Sequence, residues 1–182
     1  MSDIELIHKI NSWDDSYLNE LLERHLQRIF QACFRVCLNE ANANDVTQNV
    51  VMKIIKNLSK FQNKSEFSTW YYRIAYNESI TFLKKNKINI EFHELENVII
   101  DETTDFYDSD NKLQKKDINE AINSLPLLDR NIILYFYFDN IKIKEIATIL
   151  ELNENTVKTR LKRAKNKLQS HLKIYEDINK TI

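Results

Sequence analysis

The sequence predicts an all-α protein built from two small helical domains joined by an acidic linker. Three observations carry this reading. First, the chain of 182 residues contains no Gly and a single Pro, Pro126. Helices tolerate the absence of Gly best, because they can end on Asn or fray into water. Second, apolar residues recur at helical spacing through two long blocks, and the stretch between them has no sustained period. Third, charge is segregated. The net charge is only −1, yet residues 142–173 carry nine Lys and Arg against three Glu, a net of +6, while residues 91–110 carry eight acids and no Lys or Arg. A hydrophobic fraction of 43% supports a core, and a charged fraction of 29% supports solubility.

The elements follow in order. In the first segment, from about Asp14 to Asn86, a helix over Tyr17–Leu38 is expected from Leu18, Leu21, Leu22, Leu26, Ile29, Phe30, Cys33, Phe34 and Cys37. Residues 39–44 read as a polar break. A second helix runs from Asp45 to about Leu58, with Val46, Val50, Ile54 and Leu58 as its inward stripe. A polar loop over Phe61–Glu66 follows, then a third helix capped by Ser68 or Thr69 and ending near Lys85. The second segment, to about Lys116, is acidic and rich in Asp, Asn and Thr, and reads as a flexible linker with a short helix near its end. The third segment holds a helix over Ile118–Ser124, a break at Pro126, a helix over Leu128–Phe138, and then a helix pair from Ile143 to Leu168.

That last pair is the most informative feature. It reads as a short apolar-faced helix, a tight polar turn, and a second helix with Asn153 as its N-cap. On the second helix Val157, Leu161, Ala164 and Leu168 form one stripe, while Lys158, Thr159, Lys162, Arg163 and Asn166 fall on another. A helix anchored by its apolar side and presenting cations outward suits the major groove of DNA.

Composition excludes several function classes. Without Gly, neither a P-loop, nor a dinucleotide-binding turn, nor a Gly-bearing nucleophile elbow can be built. Cys33 and Cys37 sit at i, i+4 among Phe30 and Phe34 and read as core cysteines, since a metal site would need two further ligands. No metal and no cofactor are expected, and no enzymatic activity; a small helical nuclease would need an acidic cluster converging with a basic residue at metal-binding spacing, and none is present. His8, His25, His93 and His171 are scattered and are assigned nothing. No apolar run approaches membrane-spanning length, and the N-terminus lacks a signal-peptide layout, so the expected location is the cytoplasm.

Two blocks carry a family resemblance. The first, NDVTQNVVMKIIKNLSKFQNKSEFSTWYYRIAYNESITFLKKNK, includes Asp45, Gln48, Lys53, Phe61, Trp70, Tyr72, Arg73 and Asn77. The second, LPLLDRNIILYFYFDNIKIKEIATILELNENTVKTRLKRAKNKL, includes Pro126, Arg130, Glu145, Ala147, Thr156, Val157, Arg160, Arg163 and Ala164. Together, in this order, they resemble regions 2 and 4 of a bacterial sigma factor of the extracytoplasmic-function (ECF) type, within the sigma-70 family. The resemblance implies a promoter-specificity subunit whose partners are the RNA polymerase core, through its β′ clamp coiled coil and β flap, and promoter DNA, with an anti-sigma factor or another recruiting protein as a further partner. It implies a domain division at 1–86 for region 2, 87–116 for the linker, 117–175 for region 4 and 176–182 for a tail.

The implied site residues fall in three groups. Asp45, Gln48, Asn49, Met52 and Lys53 lie along one edge of the second helix and would dock on core polymerase; read without the resemblance, they are a solvated face. Asn63, Lys64 and Ser65 belong to the loop that would receive a flipped base of the −10 element. Phe67, Trp70, Tyr71, Arg73, Asn77, Lys84 and Lys85 would capture and melt that element. Aromatic faces can stack exposed bases and cations can hold the backbone, although aromatics at helical spacing also serve as core. Because Trp70, Tyr71 and Tyr72 cannot share one helical face, at least one is expected outside. In region 4, Lys158, Thr159, Lys162 and Arg163, with Thr156 and Lys165, would read the −35 element; Lys and Arg pair with guanine O6 and N7. Arg160, Lys165 and Lys167 are read as phosphate or structural partners.

The sequence departs from the family pattern at Glu151, where the turn usually has Gly, at Asn49, where an acid commonly follows the Gln, and at Met52 and Ile55, where aromatics are common. These leave open two further readings: a sigma-derived regulator that no longer engages polymerase, and a sigma factor whose weak −35 reading is supplemented by a recruiting partner. The acidic linker can be a plain spacer or a nucleic-acid mimic in a polymerase channel.

Overall fold

A computed structural model describes residues 1–10, 15–88 and 112–179, and every regular element among them is helical. Most of the expected linker and the final residues 180–182 lie outside the described residues. The chain divides into an N-terminal and a C-terminal unit.

The N-terminal unit opens with α1, Asp3–Ile10, which the sequence reading did not anticipate. It starts on a reciprocal capping box, in which the Ser2 N–H donates to Glu5 Oε2 at 2.7 Å and the Glu5 N–H donates to Ser2 Oγ at 3.3 Å. These bonds favour the ionised carboxyl and hold the Glu5 pKa below its ordinary value. Leu6 and Ile7 are the buried residues of α1, which packs on α2, Asp15–Cys37. α3, Glu40–Asn57, begins five residues earlier than the sequence suggested, because the Asn39 side chain accepts the Asn42 N–H at 3.0 Å and so starts the helix within the expected polar break. Its stripe of Val46, Val50 and Ile54, with Leu58 in the following 3-10 turn Leu58–Lys60, is buried as the periodicity required. α4, Phe67–Lys85, turns Phe67, Tyr71, Ala75, Ser79 and Leu83 inward at i+4 steps. α2, α3 and α4 pack pairwise to form the core of this unit.

The C-terminal unit contains α5, Lys112–Asn123, longer than the short helix expected, and α6, Leu127–Ile133, which runs into a π-helical turn over Leu134–Phe138. That turn ends with the Asp139 N–H on the Leu134 carbonyl and the Ile141 N–H on the Tyr135 carbonyl. α7, Ile143–Leu150, is started by Glu145, whose carboxylate accepts the Lys142 N–H at 3.1 Å. α8, Glu154–Asn179, starts on Asn153, whose side chain accepts the Thr156 N–H at 2.7 Å. α5 and α6 pack on α8, and of the predicted stripe Val157, Leu161 and Ala164 are buried while Leu168 is half-buried.

A chain without Gly still needs left-handed backbone to end its helices. Among the described residues it is reached at helix ends on Leu38, Lys87, Asn140 and Glu151, and in the 62–66 loop on Asn63, at φ between 52° and 55°. Asn tolerates this region, but Leu, Lys and Glu meet the Cβ clash that Gly avoids. At Lys87 and Glu151 the chain closes the helix end with a backbone bond across the turn: the Ile88 N–H reaches the Leu83 carbonyl at 3.0 Å, and the Leu152 N–H reaches the Ala147 carbonyl at 2.9 Å. Glu151 therefore holds the turn that its residue type opposes.

Candidate nucleic-acid interface

In the C-terminal unit, α8 carries the expected base readers on one open face. Lys158, Thr159, Lys162, Arg163 and Lys165 are all exposed, and Thr156 is half-buried beside the cap. The Thr159 hydroxyl donates to the Asn155 carbonyl at 2.8 Å, which leaves its oxygen to accept from outside. Arg160 is a structural partner: its Nη1 donates to Asp129 Oδ1 at 2.8 Å, pinning α8 to α6. Arg130, which carries part of the family resemblance, is only 2% exposed, and its Nε and Nη1 make no hydrogen bond. Burial pushes its pKa down to about 10, so it stays cationic at neutral pH.

In the N-terminal unit, Asp45, Gln48, Asn49, Met52 and Lys53 are exposed along α3. Met52 is 54% and Ile55 39% exposed, so the two departures from the family pattern place apolar groups on this open surface. Lys53 forms an ion pair with Glu78 of α4, a non-local tie the sequence did not show.

The loop before α4 exposes Gln62, Asn63, Lys64 and Glu66, with Ser65 half-buried. Neither Ser68 nor Thr69 caps α4. Its N-cap is Glu66, without a side-chain bond, and Thr69 is buried. Arg73, Asn77, Lys84 and Lys85 are exposed.

The aromatic cluster separates into inside and edge. Phe67 and Tyr71, expected to face bases, are 3% and 0% exposed and belong to the core. They stand at i and i+4 on the stripe that continues through Ala75 and Ser79, so the helix turns them inward. Tyr72 is also buried, and Trp70 is the member left half-exposed. Its ring lies 5.3 Å from Phe61 and 5.8 Å from Phe67, and Phe61 and Phe67 are themselves 5.8 Å apart. Phe61 and Trp70 thus flank the 62–66 loop, and Phe67 supports both from below. Beneath them lies His25, which the sequence reading passed over. Its signal was available, since His25 stands four residues from both Leu21 and Ile29 on the buried stripe of α2, a place Leu26 was expected to share and does not.

Cys33 and Cys37 are buried free thiols, with pKa values raised by burial to about 11 and about 12. Among the described residues no helix is long and apolar enough to cross a membrane.

The two units define a two-domain helical protein of the helix-turn-helix class. Family models described as "Sigma-70 region 2" and "Sigma-70, region 4" match residues 21–88 and 115–168. The chain is 32% identical over 142 residues to the RNA polymerase sigma factor SigV of Bacillus subtilis, covering 77% of this chain and 81% of that protein. It is 27% identical over 182 residues to the ECF RNA polymerase sigma factor SigW of the same organism, covering 92% of this chain and 95% of the relative. Among solved structures, the sigma factor RpoE in complex with the anti-sigma factor NepR from Bartonella quintana shares the fold, with a TM-score of 0.67 at 22% identity, covering 88% of this chain and 99% of that one. CnrH in complex with the cytosolic domain of CnrY matches equally, at 20% identity over 94% of this chain and 97% of that one. The chain belongs to the sigma-70 family of RNA polymerase sigma factors and is of the ECF type.

Proposed function

We propose that this protein is a promoter-specificity subunit that binds core RNA polymerase in the cytoplasm, reads a −35 element with residues 117–175, and captures and melts the −10 element with residues 1–86. It is not itself an enzyme; phosphodiester chemistry belongs to the polymerase. The observation that carries the reading is the joint presence, in one chain and in family order, of an exposed aromatic-edged loop and an exposed cationic recognition helix. Asp45, Gln48, Asn49 and Met52 supply the surface for the β′ clamp coiled coil, with Lys53 shared between that surface and Glu78. Trp70 and the Asn63–Lys64–Ser65 loop take the unstacked bases, while Arg73, Asn77, Lys84 and Lys85 hold the backbone. Lys158, Thr159, Lys162 and Arg163 reach base edges, with Thr156 and Lys165 beside them on the same helix. The β flap and an anti-sigma factor complete the partners, in keeping with the NepR-bound and CnrY-bound relatives. The turn at Glu151 supports intact −35 reading, because its backbone bonds are made despite the missing Gly.

Reconstituted transcription with core polymerase tests this. Promoter-dependent initiation should appear only when the protein is added, and Lys162→Ala or Arg163→Ala should weaken it with core binding intact in a pull-down. Binding of DNA without any engagement of core would instead identify a sigma-derived regulator.

A further inference from the structure

α1 precedes the span matched to region 2, yet it is tied to the base of the aromatic cluster. Asp3 of α1 accepts from His25 Nε2 at 2.8 Å and lies 3.5 Å from Arg24 Nη1, which also donates to the Met1 carbonyl at 2.8 Å. The His25 ring, 8% exposed, meets Phe67 edge-on at 5.2 Å and Tyr71 at 5.3 Å. Phe67 in turn touches Phe61 and Trp70, the two rings bordering the 62–66 loop. A continuous packed path therefore runs from α1 through His25 to the loop.

The choice of His at this place needs a reason. Its Nδ1 is buried with no hydrogen-bond partner. A Phe or Tyr ring would pack against Phe67 and Tyr71 without burying an unbonded nitrogen, which costs free energy. What His supplies, and Phe cannot, is an N–H aimed at Asp3 from within the aromatic layer. A buried polar group held at a net cost is a reason to look for a function.

We propose that α1 is a latch on the promoter-melting surface and that His25 is the positioning residue through which it acts: the Asp3–His25 contact sets the His25 ring, which sets Phe67 and hence Phe61 and Trp70 around the loop. The proposal rests on the reading of Trp70 and the 62–66 loop as that surface. It makes α1 a handle by which anything that displaces it would loosen the loop without touching DNA.

The test uses the full chain carrying Trp13→Phe, which leaves Trp70 as its only tryptophan. Asp3→Ala, His25→Phe, their combination, and His25→Gln are compared by Trp70 emission and acrylamide quenching in the free protein, and by permanganate reactivity of −10 thymines with core polymerase. Asp3→Ala and His25→Phe should each shift Trp70 emission and lower the melted fraction about threefold to tenfold, the range expected for one part-buried hydrogen bond. Core binding and helicity should be unchanged. The double variant should be no worse than either single one, and His25→Gln, which keeps an N–H toward Asp3, should recover most of the loss. The proposal is overturned if Asp3→Ala leaves both readouts at the parent value, if the two effects multiply, or if core binding falls in parallel. Should His25 variants lose helicity, Asp3→Ala at the open end of the contact decides. Should the parent protein melt no promoter, the proposed function fails, while Trp70 emission in the free chain still decides the latch.

Discussion

Replacing Glu151 by Gly should stabilise the C-terminal unit. Glu151 holds φ 55° and ψ 42° at the end of α7, where the Cβ of an L-residue crowds the following carbonyl. That conformation costs roughly 1–2 kcal/mol relative to Gly. Gly returns part of this through its larger unfolded-state entropy, about 0.4–1 kcal/mol, so the expected net gain is about 0.5–1 kcal/mol. For a domain of this size such a gain raises the melting temperature by roughly 2–8 °C. The Glu151 side chain has interactions of its own, so Glu151→Ala is the necessary control. It removes the side chain and keeps the clash, and the difference between Ala and Gly isolates the backbone. Thermal unfolding of the full chain followed by circular dichroism reads both. A Gly variant that melts at or below the Ala variant would refute the argument that this turn is strained. Leu38→Gly supplies the opposite sign at the same backbone geometry. Leu38 is buried, and losing its side chain should outweigh the relief, by about 2 kcal/mol or more.

Three further outcomes follow from the packing. Arg160→Ala should destabilise the C-terminal unit by about 1–2 kcal/mol, because it leaves the buried Asp129 carboxylate unpaired, whereas Lys162→Ala and Arg163→Ala should leave its stability within about 0.5 kcal/mol of wild type while weakening −35 binding and flattening its salt dependence by about one counterion each. Equal melting losses in all three would remove the distinction between pin and reader. Phe67→Ala and Tyr71→Ala should cost about 3–5 kcal/mol of stability as core deletions, while Trp70→Ala should chiefly reduce permanganate-detected melting of the −10 element relative to closed-complex binding. The raised thiols of Cys33 and Cys37 make no pH-dependent difference below their ordinary value of 9.0, where folded and unfolded thiols are both protonated. Above it the unfolded thiols ionise first, so both thiols make stability fall as pH rises, and Cys33→Ala with Cys37→Ala should reduce that alkaline loss in urea unfolding.

Legibility in the sequence followed the range of the interaction. The stripes of α3 and α8 were readable because each is a local period, and Asn153 because a cap lies within one turn of its target. α1 was readable and overlooked: Ser2 and Glu5 stand at capping-box spacing before an apolar pair, and the segment is short enough to escape a search for long periods. The start of α3 was ambiguous because Asn39, Asn42 and Asn44 are all cap-forming residues, and only the structure shows which one the helix uses. The inward turn of Phe67 and Tyr71 was obscured by Ser79, a polar residue on the same stripe that is satisfied locally by donating to the Ala75 carbonyl at 2.8 Å. Lys53–Glu78, Arg160–Asp129 and His25–Asp3 join residues 25, 31 and 22 positions apart, and no local pattern encodes such pairs.

The absence of Gly was read as a sign of helices, and it has a second consequence that only backbone angles reveal. Left-handed helix ends are still required, and their cost falls on whatever residue stands there. Leu38 offsets the cost by burying its side chain, and Asn140 is of a type that bears it with little strain. Lys87 and Glu151 are exposed and have no comparable burial. The strain not offset by burial therefore sits at the ends of α4 and α7, the helix that carries Trp70 and the helix that precedes α8. A chain selected for stability alone would place Gly at both. Gly at these two turns should therefore add stability without altering any residue proposed to face DNA.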